Sequence, residues 1–192
     1  TTTASRMSSK AVTQITMVPE LGLGIIVLTN QQEGGAFRSI TNQILDGYLG
    51  KSGRDWVTDL SEARKKSLAS AKTMVDSVNA EIAKAQSAGE STLQPSTISG
   101  TYNDAWLGDV TIAPVNGKLR FTSKRSPGLA GDMVPFKANT YVVKWDDRSM
   151  DADAFVNFEL DMNGQTKGFT MKAVSPLTDF SYDFHDLEFR RR

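Results

Sequence analysis

From Ile98 to Phe189, apolar side chains recur at every second residue in short runs separated by turn residues. Val110 pairs with Ile112, Leu119 with Phe121 and Val134 with Phe136 in this rhythm. Tyr141, Val143 and Trp145 continue it, followed by Val156, Phe158, Leu160 and Met162, then Phe169 with Met171 and Leu187 with Phe189. A period of two marks strands with one covered face, because successive side chains leave a pleated chain on opposite sides. Asn116-Gly117 and Asn163-Gly164 fall between runs, and Asn-Gly accommodates the positive φ angles of tight hairpins. Roughly eight short antiparallel strands predict a small closed barrel, since an open meander would leave two adhesive edges.

Upstream the pattern changes. Val12, Ile15 and Met17 are interleaved with Thr13, Gln14 and Thr16, whereas Leu23 to Leu28 is continuously apolar. Two antiparallel strands are expected, the second buried on both faces, with the turn at Val18 to Leu21 because Pro19 cannot donate to a ladder. Phe37, Ile40, Ile44, Leu45 and Tyr48 recur at helical spacing, predicting a helix over about 35–49 that Gly50 and Gly53 end. A second helix is expected from Asp55 to about Ala85, on a stripe of Val57, Leu60, Leu68, Ala71, Val75, Val78, Ile82 and Ala85. Weak periodicity over Ser67 to Ser70 leaves room for a bend, and the helix reads as an amphipathic connector lying on a neighbouring domain. Residues 87–97 read as a linker, and residues 1–10 are polar and expected to be poorly ordered. The fold class is therefore α+β, divided as 1–54, 55–97 and 98–192, with residues 96–192 expected to fold alone.

Lysine plus arginine number 22 and aspartate plus glutamate number 22, so no net field attracts nucleic acid or an anionic membrane. The absence of cysteine excludes disulfides, thiolate catalysis and zinc–thiolate sites. No apolar run reaches the roughly 20 residues that a membrane-spanning helix needs.

Val18-Pro19-Glu20, the Leu21-Gly22-Leu23-Gly24 spacing and Val27-Leu28-Thr29-Asn30 resemble the last strands of the penicillin-recognising serine hydrolases. That clan includes class C β-lactamases and D-aminopeptidases. Ile44-Leu45-Asp46, Tyr48-Leu49-Gly50 and Asp55-Trp56 look like its closing helix and exit segment. Gly100-Thr101-Tyr102, Gly108-Asp109-Val110 and Asp186-Leu187-Glu188-Phe189 are similar to the lipocalin-like domain that follows some of these catalytic domains. The resemblance implies that residues 1–54 are the C-terminal remnant of a catalytic domain and 98–192 a lipocalin-like β-barrel. It also implies a periplasmic or secreted setting, and a barrel near the catalytic cleft that shapes substrate access or assembly.

The resembled enzymes use a serine followed three residues on by a lysine. No lysine here has a serine three residues before it, and no Gly-x-Ser-x-Gly elbow occurs. Their third motif would lie upstream of Arg6. No catalytic residue, cofactor site or metal site is assigned, and the chain alone is expected to be inert. Asp151-x-Asp153 fails as a calcium loop, because Val156 and Met162 stand where glycine and glutamate are required. With Asp146 and Asp147 it reads as a solvated acidic loop, His185 as a structural histidine, and Arg190-Arg191-Arg192 as a frayed end. Tyr102, Trp106 and Trp145 are the candidate ligand contacts, read first as barrel core and rim and second as the lining of a barrel mouth. Expected partners are the missing catalytic domain, a second copy of the chain in a homo-oligomer, and a small-molecule or peptide ligand at the barrel. The rival reading is an autonomous ligand-binding barrel with a helical oligomerisation arm.

Overall fold

The computed structural model describes residues 12–30, 33–88 and 93–192. The expectation for residues 1–10, and the middle of the expected linker, lie outside them. The chain forms two compact units, Thr1–Ala69 and Ser70–Arg192.

In the first unit, β1 (Val12–Val18) and β2 (Leu23–Thr29) form an antiparallel two-stranded sheet, with Ile15 opposite Ile26. A 3₁₀ turn at Pro19–Leu21 joins them and ends on Gly22 at φ 57°, a conformation that costs glycine little. Helix α1 (Gly34–Tyr48) lies against β2. Thr41 Oγ1 donates to Gln14 Oε1 at 2.8 Å, and Trp56 Nε1 donates to Asp46 Oδ2 at 2.7 Å. Only one face of β2 is covered: Ile25 and Val27 are buried, while Ile26 and Leu28 are 66% and 75% exposed. The expectation of a strand buried on both faces therefore fails within this chain. In α1 the covered face runs through Phe37, Thr41 and Leu45, leaving Ile40, Ile44 and Tyr48 exposed.

Helix α2 (Trp56–Ala88) is assigned as one helix through the serine-containing middle, where the sequence left room for two. The second unit begins within it. Helix α3 (Pro95–Ile98) follows, then β3 (Gly100–Asp104), β4 (Gly108–Val115), β5 (Lys118–Ser123), β6 (Ala130–Lys137), β7 (Thr140–Trp145), β8 (Ala154–Leu160), β9 (Thr166–Ala173) and β10 (Glu188–Arg191). These eight strands form a closed antiparallel barrel in the order β10-β3-β4-β5-β6-β7-β8-β9, as the alternation predicts. The Asn116-Gly117 hairpin has positive φ at both positions. At Asn163-Gly164 only the glycine does, because the Asp161 carboxylate takes the N–H groups of Asn163 and Gln165 and shapes a wider turn.

Barrel closure depends on residues expected to fray. Arg190 and Arg191 pair with Asn103 and Tyr102, and the Arg191 guanidinium donates to the carbonyls of Thr97 (2.9 Å) and Ser99 (2.7 Å). The end of the expected linker is likewise structural, since α3 inserts Ile98 into the core and Thr97 accepts a bond from Thr166.

The interior is filled by Tyr102, Phe121, Trp145, Phe158, Phe169 and Phe189, in mostly edge-to-face contacts such as Phe121–Trp145 at 5.3 Å. A second cluster lies outside the barrel wall, where Val75, Val78 and Ile82 of α2 cover Val134, Val142, Phe155 and Val174. This corrects the phase expected in β6. Met133, opposite Val143, faces inward, and Val134, opposite Val142, faces the helix. Met162 is no strand residue but sits almost fully exposed in the β8–β9 turn.

Candidate functional site

The antiparallel order places Trp106 and the loops after β5, β7 and β9 at one end of the barrel, and α3 with the two Asn-Gly turns at the other. Of the three predicted contact residues, Tyr102 and Trp145 lie in one core cluster and Trp106 lies on the surface. Tyr102 is fully buried with its hydroxyl donating to Ile98 O at 2.7 Å, and burial pushes its phenol pKa up. Trp145 is 1% exposed and donates its indole N–H to Ala152 O at 2.7 Å. Both side chains belong to the packed interior of the barrel. Trp106 alone faces solvent, 59% exposed, on the β3–β4 turn.

That turn is fixed from beneath. Asp104 Oδ1 accepts the N–H groups of Trp106 (2.8 Å) and Leu107 (2.7 Å), and Oδ2 accepts the N–H of Glu188 (2.9 Å). The Arg125 guanidinium donates to the Trp106 carbonyl from above. A buried carboxylate thus joins the start of β10 to a turn that presents an exposed indole.

The loop after β7 is not simply solvated. Asp153 is 12% exposed and forms a two-cation hub, with Arg148 Nη1 at 2.6 Å and Lys144 Nζ at 3.1 Å. Burial raises its pKa, but bonding and attraction from Arg148 and Lys144 prevail and hold it below the usual carboxylate range. Asp146 pairs with Arg120 across β6. His185, expected to be structural, is well exposed at the same end. Ligand atoms of Asp183, His185 and Asp186 approach within 4.8 Å of one another, with His185 and Asp186 open to water.

A group of exposed apolar side chains lies in the first unit. Ile15 (60%), Met17 (76%), Ile26 and Leu28 share the sheet face opposite Ile25 and Val27. Among the described residues no other strand pairs with β1 or β2. No described helix is long and apolar enough to cross a membrane.

A helix-flanked, closed eight-stranded antiparallel barrel with a packed interior defines the class of the second unit. Residues 86–191 match the family described as a domain of unknown function, DUF3471, and the chain belongs to that family. No curated protein matches the chain.

Proposed function

We propose that this chain is the C-terminal region of a β-lactamase-related serine hydrolase, non-catalytic by itself, whose barrel shapes substrate access or assembly. The observation carrying the reading is the outer face of the β1–β2 hairpin. Four large apolar side chains there are exposed, on a sheet whose edges have no described strand partner. Burying each would contribute about 1.5–3 kcal/mol, so the hairpin is built for a second layer. The resemblance of Val18 to Asn30 to the last strands of such enzymes supplies that layer as the remainder of a catalytic domain. The packed barrel interior counts against the rival ligand-carrying barrel, because Tyr102, Phe158 and Phe169 occupy the volume that a ligand would need.

The test compares the isolated chain with the same chain preceded by its upstream-encoded residues, using a fluorophosphonate probe and amide exchange over Leu23–Thr29. Labelling confined to the longer protein, with exchange slowed in β2, is expected. Labelling of the isolated chain, or unchanged exchange in β2, overturns the reading.

A further inference from the structure

We propose that Asn116 is a site of spontaneous covalent modification, its side-chain amide passing through a cyclic imide to aspartate and isoaspartate. The fold sets its rate above that of Asn163, which stands in the chain's only other Asn-Gly pair. In this reaction the backbone nitrogen of the following residue attacks the asparagine Cγ. The N–Cγ bond forms, the Cγ–Nδ2 bond breaks, and Nδ2 leaves as ammonia with the backbone proton. Water then opens the five-membered imide at either carbonyl. One opening gives aspartate, and the other gives isoaspartate, in which the main chain runs through Cβ and Cγ. Asparagine is a thermally labile residue, and a following glycine leaves the attacking nitrogen unshielded because it has no Cβ.

Both pairs are exposed, so accessibility does not separate them; the hold on the backbone does. The glycine nitrogen reaches Cγ only if the asparagine rotates about its Cα–C bond, which carries the glycine N–H away from any partner. At Asn163 four hydrogen bonds oppose that rotation. Gly164 N–H donates to the Asp161 carbonyl at 3.0 Å, and Asp161 N–H donates to the Gln165 carbonyl at 2.8 Å. The Asp161 carboxylate accepts the N–H groups of Asn163 at 2.8 Å and Gln165 at 2.9 Å. At Asn116, among the described residues, no hydrogen bond takes the Gly117 N–H. Only the Val115–Lys118 pair, the last of the β4–β5 ladder, closes this turn. Asn116 also sits at φ 50°, a region disfavoured for a residue with a Cβ, so leaving it costs less than leaving a relaxed conformation.

The two products act differently on the barrel. Aspartate keeps the length of the turn and adds a carboxylate near Lys118, whose ammonium bridges to Asp132 at 2.8 Å. Isoaspartate lengthens the main chain of the turn by one atom, and a two-residue hairpin fixes its register through its length. The Val115–Lys118 pair is then lost first. The next pair inward is Pro114–Leu119, and Leu119 is buried in the core. Ageing at Asn116 thus loosens the β4–β5 hairpin from its turn toward the interior.

The experiment incubates the full chain in mildly alkaline buffer, with and without urea. Mass spectrometry follows the tryptic peptides 85–118 and 149–167, each of which holds one Asn-Gly pair. Enzymatic isoaspartyl methylation reads the isoaspartate product separately. In the folded chain Asn116 is expected to convert about tenfold faster than Asn163, the factor that one or two net hydrogen bonds supply. In urea the two rates should converge, because neither turn then holds its backbone. Asp161→Ala should speed conversion at Asn163 and leave Asn116 unchanged, and the urea comparison decides the matter even where that variant fails to fold. Amide exchange at Leu119 should rise in step with isoaspartate in the ageing parent and stay at its own starting value in Asn116→Gln. Equal rates in the folded chain, faster conversion at Asn163, or a ratio unchanged by urea overturns the proposal. Leu119 exchange that rises as much in Asn116→Gln overturns the loosening of the hairpin.

Discussion

The Asp104 carboxylate accepts the Trp106 backbone N–H at 2.8 Å, so a buried acid two residues away fixes the most exposed tryptophan contact of the barrel. The same carboxylate also takes the N–H groups of Leu107 and Glu188. Asp104→Ala leaves three backbone donors without that acceptor, each costing about 1–3 kcal/mol where water cannot replace it. A loss of roughly 2–4 kcal/mol in urea unfolding is expected, with increased mobility of the Trp106 indole. Unchanged indole anisotropy in a folded Asp104→Ala protein would show that the turn holds itself.

The seam between β9 and β10 depends on a missing side chain. A Cβ on Gly168 would lie 2.0 Å from the Phe189 carbonyl oxygen, a contact with backbone that no rotamer change relieves. Gly168→Ala should cost about 3 kcal/mol or more, at the upper end of overpacking penalties, and loosen the pairing that closes the barrel. Gly128→Ala, with nothing within 4 Å and no positive φ, is the control and should melt within a degree or so of the parent. Equal melting temperatures for the two variants would contradict the close approach.

Much of this architecture is legible in the residues, and the failures have physical causes. Alternation and the Asn-Gly pairs reveal the barrel because strand period and turn chemistry are local properties. The phase of β6 is not legible. Met133, Val134, Pro135 and Phe136 are all apolar, and one face meets the core while the other meets α2. Arg190 to Arg192 look like a frayed end because charge suggests solvent, yet the strand's inward residue Phe189 is fully buried and its arginines bond outward. The stretch 179–186 shows neither the strand nor the helix period, so its two 3₁₀ turns, Phe180–Tyr182 and Phe184–Asp186, are not legible either.

Acid should act on the barrel through Asp153. Its folded pKa lies below the ordinary value because Arg148 and Lys144 outweigh the effect of burial. A depressed folded pKa means that the stabilisation is present above the unfolded value, near ~3.9, and is lost as pH falls through the folded value. Asp153→Asn should therefore lower the urea midpoint at pH 7 and flatten its decline below about pH 4. A variant whose midpoint falls as steeply with acid as the parent's would remove Asp153 from the acid response.

The exposed hairpin face should drive association of the isolated chain. Ile26 and Leu28 are the least covered large residues of β2, and exposed apolar patches of this kind pair with like patches. We expect sedimentation to show a dimer or larger species, and Ile26→Lys with Leu28→Glu to shift it toward monomer. A monodisperse monomer at all concentrations for the parent would refute self-association through this face.

The covering of the barrel wall by α2 changes what can fold alone. Alternation suggests that residues 96–192 are self-sufficient, but Val142 and Val174 on the outer wall are buried under Val75, Val78 and Ile82. Removing the helix uncovers those two and deprives Val134, Phe136 and Phe155 of the helix side of their cluster. At about 1.5–3 kcal/mol for each large apolar side chain fully uncovered, the loss approaches a small domain's entire stability of roughly 5–15 kcal/mol. Residues 70–192 should thus melt cooperatively, while residues 96–192 should melt far lower and bind a hydrophobic dye. Val78→Ala in the longer fragment should fall between them, and Met74→Ala, half-exposed on the same helix, should change little. Identical melting of the two fragments would mean that the barrel wall needs no helix.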